Sequence, residues 1–220
     1  MTDWHSHILP GVDDGVKSLD ESLHILRRYE DAGIREVWLT PHIMEDMPNA
    51  TTDLRQRFTE LREAYSGPVK LNLAAENMID NLFLERLEAN DLLPIGHDGQ
   101  TLLVETSFFS SPISFFDKLE AIKAKGYFPL LAHPERYNYI EKFSTYGELK
   151  RLGVQFQVNL TSLGGHYGPI VKEKAIRMLR EGMVDRLGTD LHRSEHLDLI
   201  LRMKPGRKIA TLTTALLPRS

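Results

Sequence analysis

The sequence predicts a single α/β domain in which parallel strands form a closed or distorted (β/α) barrel. The chain has 220 residues, enough for one sizeable core and too few for two convincing domains. Short apolar runs alternate along it with longer amphipathic stretches, which is typical of strands alternating with helices. Seven such units fit a barrel better than an open sheet. We therefore predict one domain over residues 1–220.

The predicted strands are seven short runs rich in Val, Leu, Ile or aromatic residues. They are Trp4–Ile8, Glu36–Thr40, Lys70–Ala75, Thr101–Thr106, Phe128–Ala132, Gln155–Asn159 and Val184–Gly188. Among the helices between them, the first shows a capping box from Ser18 to Glu21 and is predicted to stop at Gly33. Three later helices are predicted to end at Gly126, Gly153 and Gly182.

The composition excludes several classes of protein. Hydrophobic residues make up 41% of the chain, and no apolar run approaches the roughly 18 residues of a membrane span. The N-terminus lacks the basic and apolar segments of a secretory signal, so we expect a cytoplasmic location. The net charge of -4 is spread along the chain, which argues against nucleic acid as a partner. A basic tail over residues 203–220 is predicted to be loosely ordered.

The chain contains no cysteine. This excludes disulfides, thiolate metal ligands and covalent catalysis through sulfur. Any metal ion must therefore be held by nitrogen and oxygen atoms.

Candidate ligands begin in the first predicted strand. His5 and His7 are two residues apart, which on a strand directs both imidazoles to the same side. Asp13 and Asp14 follow on a turn, and either could add an oxygen ligand. A His-x-His pair alone is weak evidence, because it occurs often by coincidence.

Six further polar residues lie at or just beyond the ends of later predicted strands. They are His42, Glu76, Glu105, His133, Asp190 and His192. In a barrel, the carboxyl ends of the strands converge on one mouth, where active sites are built. Imidazoles and carboxylates without thiolates suit Mn²⁺, Fe²⁺ or Zn²⁺. Because the candidates are too many for one ion, we predict two or three ions that share a bridging carboxylate, most plausibly Glu105, and that hydrolyse a phosphate ester.

Other residues near these ligands are candidates for substrate binding. Arg136 follows His133 by three residues and could hold two phosphate oxygens. On position alone a surface ion pair with Glu135 or Glu141 is an equal alternative, but the closeness to His133 favours phosphate. His166 lies on a glycine-rich loop that could reach the mouth, and Arg193 or His196 could also contact substrate. His24 and His97 are predicted to be structural or exposed.

These motifs resemble the PHP (polymerase and histidinol phosphatase) superfamily and, within it, the bacterial capsule-biosynthesis tyrosine phosphatases. The resemblance runs from Asp3 to about His196. It rests on the segments Asp3-Trp4-His5-Ser6-His7-Ile8-Leu9-Pro10-Gly11-Val12-Asp13-Asp14-Gly15, Thr40-Pro41-His42, Ala75-Glu76, Val104-Glu105-Thr106, Ala132-His133-Pro134-Glu135-Arg136-Tyr137 and Thr189-Asp190-Leu191-His192. The opening segment with its Asp-Asp-Gly is specific for the tyrosine phosphatase branch.

The resemblance implies a distorted (β/α)7 TIM-like barrel, the PHP fold, with a site for three metal ions that usually prefers Mn²⁺. The substrate would be phosphotyrosine in the tyrosine-rich tails of bacterial polysaccharide-synthesis kinases. Carried over by position, the metal ligands are His5, His7, Asp14, His42, Glu76, Glu105, His133, Asp190 and His192. Arg136 would bind phosphate and act in catalysis with Glu105 and Asp190. Where the family has a second arginine, this chain offers Arg193 instead.

Two alternatives to this function remain open. The same metal chemistry could serve a small phosphate such as histidinol phosphate, or a nucleotide or DNA end, although the acidic charge argues against DNA. The chain could also be a catalytically weakened regulatory protein that keeps the metal-binding fold.

Overall fold

The computed structural model describes residues 1–203. The prediction of a loosely ordered tail falls, from residue 204 onward, outside this part of the chain. Within residues 1–203, no helix is both long and apolar enough to cross a membrane.

The described residues form nine strand segments. They are β1 (Thr2–Ser6), β2 (Glu36–Leu39), β3 (His42–Ile43), β4 (Lys70–Leu73), β5 (Glu76–Met78), β6 (Thr101–Glu105), β7 (Phe128–Ala132), β8 (Gln155–Asn159) and β9 (Arg186–Gly188). All of their pairings are parallel. One sheet has the order β1-β2-β4 and the other the order β3-β5-β6-β7-β8-β9. The result is a mixed α/β fold with a curled parallel sheet.

Helices lie between most of the successive strands. They are α1 (Leu19–Asp31), α2 (Thr51–Ala64), α3 (Phe83–Ala89), α4 (Phe115–Ala124), α5 (Ser144–Arg151), α6 (Leu160–Gly164), α7 (Pro169–Arg180) and α8 (Ser194–Arg202), with a 3-10 turn at Pro134–Arg136. The predicted start of α1 is confirmed, since the Ser18 side chain accepts a hydrogen bond from the Glu21 amide at 3.2 Å. The predicted helix end at Gly33 is confirmed too, with φ of 74° just beyond the last turn.

Two predicted strands are shorter than expected because each is interrupted. The second ends at Leu39 and resumes as β3 at His42, and the third ends at Leu73 and resumes as β5 at Glu76. Pro41 lies in the first break, where it has no amide to donate. The sequence pattern missed β3 and β5 because each begins with a polar residue of the site rather than an apolar one.

Backbone hydrogen bonds also join the first and last strands. The Asp190 amide donates to the His5 carbonyl at 2.8 Å, and the His7 amide donates to the Leu191 carbonyl at 2.9 Å. The side chain of Asp3 adds a third link by accepting from the Thr189 amide at 2.8 Å. The first and the last candidate ligands along the chain are therefore held side by side.

Apolar side chains pack on both faces of the curled sheet. Those of β6, β7 and β8 that point outward, such as Val104, Leu131 and Phe156, pack against the later helices. On the inward face, Trp38, Leu103 and Leu130 form a smaller cluster. This packing leaves the carboxyl ends of the strands for polar side chains.

Candidate metal centre and phosphate site

The structure brings all nine predicted metal ligands together at the carboxyl ends of the strands. They form four overlapping groups in which the candidate ligand atoms lie within 4.8 Å of one another. The groups are His7, Asp14, His42 and His192; His5, His7 and Asp190; His5, Glu76 and His133; and His42, Glu76 and Glu105. Residues shared between groups are what a cluster of several ions requires, because neighbouring ions need bridging ligands.

The first two histidines direct free nitrogen atoms at one another. His5 donates through Nδ1 to the Gln157 Oε1 at 2.8 Å, and His7 donates through Nδ1 to the Asp13 Oδ2 at 2.8 Å. In the neutral imidazoles, both Nε2 atoms therefore carry lone pairs. These Nε2 atoms are 3.0 Å apart. Two lone pairs at this distance repel each other unless a cation binds both, so the pair fits a metal ion.

Glu76 lies at the centre of the cluster. Its Oε2 is 3.2 Å from the His5 Nε2, 3.3 Å from the His7 Nε2 and 3.1 Å from the His42 Nδ1. Glu105 approaches the same His42 atom at 3.0 Å through Oε1. These two carboxylate oxygens and the His42 Nδ1 are buried without a hydrogen-bond partner. Buried polar atoms rarely stay unpaired, so these atoms also fit metal ions.

The charges of the cluster depend on one another. Burial disfavours a charge on His7, but the Asp13 and Glu76 carboxylates outweigh burial and hold the pKa of His7 well above its usual value. Burial also opposes ionisation of Glu76, yet His5 and His42 hold the pKa of Glu76 well below its usual value. Metal binding must displace protons from these imidazoles, so it weakens as pH falls.

Two of the candidate ligands have a strained backbone. His133 and Asp190 have φ angles of 32° and 50°, in the left-handed region that costs a non-glycine residue about 1–3 kcal/mol. His133 directly follows β7, and Asp190 is separated from the end of β9 by one residue. The left-handed turn directs both side chains into the mouth, where His133 contacts Glu76 at 3.0 Å.

Three buried polar residues position the candidate ligands through hydrogen bonds. The sequence analysis did not assign this role to any of them. Asp13 was predicted as a possible oxygen ligand, and its carboxylate instead holds His7 and accepts from the Gly15 amide at 2.9 Å. Gln157 donates to the Asn159 Oδ1 at 2.9 Å, and Asn159 donates to the Asp190 Oδ2 at 2.7 Å. The alternation of polar residues along Gln155–Asn159 was the signal that could have identified the last two.

Arg136 reaches into the mouth. Its Nη1 donates to the Asp190 Oδ2 at 2.8 Å. The alternative of a surface ion pair with Glu135 or Glu141 is therefore wrong. Glu135 is instead buried, and its Oε1 accepts from the Asn159 amide at 3.0 Å and from the Ser162 hydroxyl at 2.7 Å. Burial lowers the pKa of Arg136, but Asp190 and, to a lesser extent, Tyr167, Glu135 and Glu76 together raise it above its ordinary value, so the guanidinium stays charged.

The remaining candidates lie at the rim or far from it. The ring of His166 is 5.8 Å from that of His196, which is itself 6.2 Å from His192. Arg193 is exposed at the start of α8. His24 is exposed on α1, and His97 pairs with Glu36 at 2.9 Å on the surface, as predicted for both.

Comparisons with known proteins agree with this architecture. A sequence model of the family described as capsular polysaccharide synthesis, CpsB/CapC, matches residues 1–202. The chain is 26% identical over 199 residues to the putative tyrosine-protein phosphatase CapC of Staphylococcus aureus, covering 87% of this chain and 77% of the relative. It is 28% identical over 210 residues to the tyrosine-protein phosphatase CpsB of Streptococcus pneumoniae, covering 87% and 83%.

A solved structure shares the fold. It comes from the crystal structures of YwqE from Bacillus subtilis and CpsB from Streptococcus pneumoniae, described as metal-dependent tyrosine phosphatases. It superposes with a TM-score of 0.82 at 25% sequence identity, covering 97% of this chain and 92% of that one.

Proposed function

The chain belongs to the CpsB/CapC family of capsular polysaccharide synthesis proteins, and we propose that it hydrolyses phosphotyrosine in proteins with the help of bound metal ions. The relatives YwqE of Bacillus subtilis and CpsB of Streptococcus pneumoniae are tyrosine-protein phosphatases, and the similar solved structure is of a metal-dependent one. The observation that carries the proposal is the set of overlapping His, Asp and Glu groups beside the Arg136 guanidinium.

The ligands of the proposed centre are His5, His7, Asp14, His42, Glu76, Glu105, His133, Asp190 and His192. Metal ions held there would supply Lewis acidity, which lowers the pKa of a water molecule and neutralises phosphate charge. We propose Mn²⁺ in two or three positions, with Fe²⁺ or Zn²⁺ as alternatives that the same nitrogen and oxygen ligands accept. Both Glu76 and Glu105 contact more than one histidine, which supports a bridging role for either carboxylate.

The chain's own residues would orient the phosphate. Arg136 presents its remaining N–H groups for phosphate oxygens, while its pairing with Asp190 fixes the guanidinium next to the ligands. His166 and Arg193 stay predicted substrate contacts at the rim. Because the chain has no cysteine, water rather than a thiolate must attack phosphorus. The tyrosine phenolate, with an unperturbed pKa of about 10, leaves without needing a strong general acid.

The proposal includes the closure of the sheet into a distorted (β/α)7 barrel. It is supported by the two interrupted strands, which reduce nine segments to seven strands. It is also supported by the hydrogen bonds between β1 and the residues that follow β9.

For the physiological substrate we propose the phosphotyrosine-bearing tail of a bacterial tyrosine kinase of polysaccharide synthesis. We also propose that the reaction takes place in the cytoplasm. Membership of a family of capsular polysaccharide synthesis supports this substrate. Such a tail is flexible and can reach a site at the strand ends without unfolding of a domain.

The decisive experiment measures phosphate release from a phosphotyrosine peptide before and after metal removal. Chelation followed by dialysis should abolish hydrolysis, and added Mn²⁺ should restore it, with metal content followed by mass spectrometry. Vanadate efficiently inhibits phosphatases that use a cysteine nucleophile. It should inhibit this protein only weakly, because the chain has no cysteine. Full activity in excess chelator, or turnover of histidinol phosphate far above that of the peptide, would overturn the proposal.

A further inference from the structure

The Arg136 guanidinium lies between two aromatic rings. Its central carbon is 4.2 Å from the centroid of the Phe108 ring and 4.2 Å from that of the Tyr167 ring. We call these three residues the aromatic clamp. Phe108 comes from the loop after β6, and Tyr167 comes from the loop between α6 and α7. Two separate loops therefore converge on one predicted phosphate-binding residue.

Local hydrogen bonds hold both loops in place. The Phe108 carbonyl accepts from the Asn138 amide at 2.8 Å, and the Phe108 ring also contacts His133 with centroids 5.6 Å apart. The loop of Tyr167 is tied by the His166 amide, which donates to the Thr161 carbonyl at 3.1 Å. The next residue after Phe108, Phe109, is 80% exposed. The first loop thus turns one aromatic ring towards the site and leaves the other outside.

The clamp restricts how a phosphate can bind. The guanidinium carbon lies over the Phe108 ring and over the Tyr167 ring. The N–H groups of a guanidinium all lie in its plane, and Asp190 takes one of them at Nη1. A phosphate bound by the remaining N–H groups therefore lies beside Phe108 and Tyr167.

We propose that Phe108 and Tyr167 are specificity-determining residues, which select phosphate esters of planar aromatic alcohols over alkyl phosphates. A phenyl ring attached to that phosphate can contact the Phe108 or the Tyr167 ring. The side chain of phosphoserine offers much less contact. The inference rests on the proposed function and identifies the aromatic ring of the substrate as the group that the site recognises.

The test compares two substrates in four variants of the Mn²⁺-loaded protein. The substrates are peptides of one sequence that carry phosphotyrosine or phosphoserine. Tyr167→Leu and Phe108→Leu remove a ring, and Tyr167→Phe keeps the ring. Phe116→Leu is the matched control, because Phe116 is half exposed on α4 and contacts Phe115 rather than Arg136.

We expect the ratio of kcat/KM for phosphotyrosine over phosphoserine to fall about 10-fold in each ring-removing variant, as the loss of one aromatic contact implies. Tyr167→Phe and Phe116→Leu should keep the ratio of the parent protein. An equal loss for both substrates would overturn the inference, because it would mean that the rings only hold Arg136. An unchanged ratio would also overturn it.

A binding measurement separates this inference from the proposed function. Isothermal titration calorimetry with phenylphosphonate and methylphosphonate needs no turnover. The parent protein should prefer the phenyl compound by about 10-fold, and Tyr167→Leu should lose that preference. If neither peptide is hydrolysed, the proposed function fails. The inference then stands if Tyr167→Leu loses the preference and falls if the preference is unchanged.

Discussion

His7 donates from Nδ1 to the carboxylate of Asp13 at 2.8 Å, and both side chains are buried. The carboxylate fixes the imidazole so that its Nε2 points at the ligand cluster. A negative partner also makes the imidazole a stronger electron donor to a metal ion. Asp13 therefore acts on the site through His7, whereas its neighbour Asp14 lies among the candidate ligands.

The first prediction concerns this pair. Asp13→Asn keeps the shape of the side chain and removes its charge, so metal affinity should fall about 10- to 100-fold. Competition with a fluorescent chelator measures the affinity. Asp20→Asn is the control, since Asp20 is exposed in the first turn of α1. Equal affinities of the parent and Asp13→Asn would mean that the carboxylate has no part in holding the metal.

The second prediction concerns Gln157, which accepts from His5 at 2.8 Å and donates to Asn159 at 2.9 Å. The Gln157 Oε1 also accepts from the His133 amide at 3.2 Å. Gln157→Leu leaves all three partners buried and without these hydrogen bonds, so the free energy of unfolding should fall by about 2–4 kcal/mol. Urea unfolding of the metal-free protein measures this loss. The exposed Gln100, changed to Leu, should leave stability within about 0.5 kcal/mol of the parent. A Gln157→Leu value in that same range would contradict the network described for β8.

The third prediction concerns catalysis by Arg136. Arg136→Ala should lower kcat/KM for a phosphotyrosine peptide about 100- to 1,000-fold, as removal of one charged donor from a transition state does. The kcat/KM of Arg136→Lys should lie between those of the parent and Arg136→Ala, because lysine keeps the charge and loses the planar fork of the guanidinium. The metal content of each variant is measured in parallel. Arg57→Ala, at an exposed pair with Glu60, is the control, and full activity in Arg136→Ala would refute the assigned role.

The fourth prediction concerns the pH dependence of stability at Glu36. Burial raises the pKa of this carboxyl, but the hydrogen bonds from Lys70 and Asn72, together with the charges of Lys70 and His97, outweigh burial and lower the pKa below the ordinary 4.5. A lowered pKa in the folded chain stabilises it above pH 4.5, and this stabilisation is lost as pH falls through the folded value. Glu36→Gln should therefore cost on the order of 0.5 kcal/mol at pH 7 and nothing at the lowest pH.

Urea unfolding of both proteins between pH 7 and pH 3 tests this sign. Glu60→Gln provides the comparison at an exposed ion pair. A difference between parent and Glu36→Gln that grows as pH falls would show that the sign is wrong.

Sequence reasoning succeeded where periodicity and chemistry coincide. Phe128–Ala132 and Gln155–Asn159 have the predicted bounds, because the first is an apolar run and the second alternates polar and apolar residues. The grouping of His5 with Asp190, 185 positions later, followed from the rule that parallel strands share one mouth. The family prediction is confirmed by the match over residues 1–202.

What the sequence did not predict depends on three-dimensional neighbours. Asp13 and Asp14 are adjacent and chemically identical, so only coordinates separate a support of His7 from a candidate ligand. The pairing of Arg136 with Asp190 joins residues far apart in the chain, and local spacing offered only Glu135 or Glu141 as its partners. Phe108 and Tyr167 lie in loops without periodicity, where no pattern indicates which aromatic ring turns inward.

The left-handed backbone at His133 and Asp190 means that selection for stability and selection for activity favour different residues at these two positions. In a library screened only for heat resistance without metal, glycine at these positions should be enriched, because it relieves the unfavourable φ angles. In a library screened for turnover, the original side chains should be retained. Thermal stability and activity thus make opposite demands on these two positions. Engineering of a more stable active protein should leave both residues unchanged and place stabilising substitutions elsewhere.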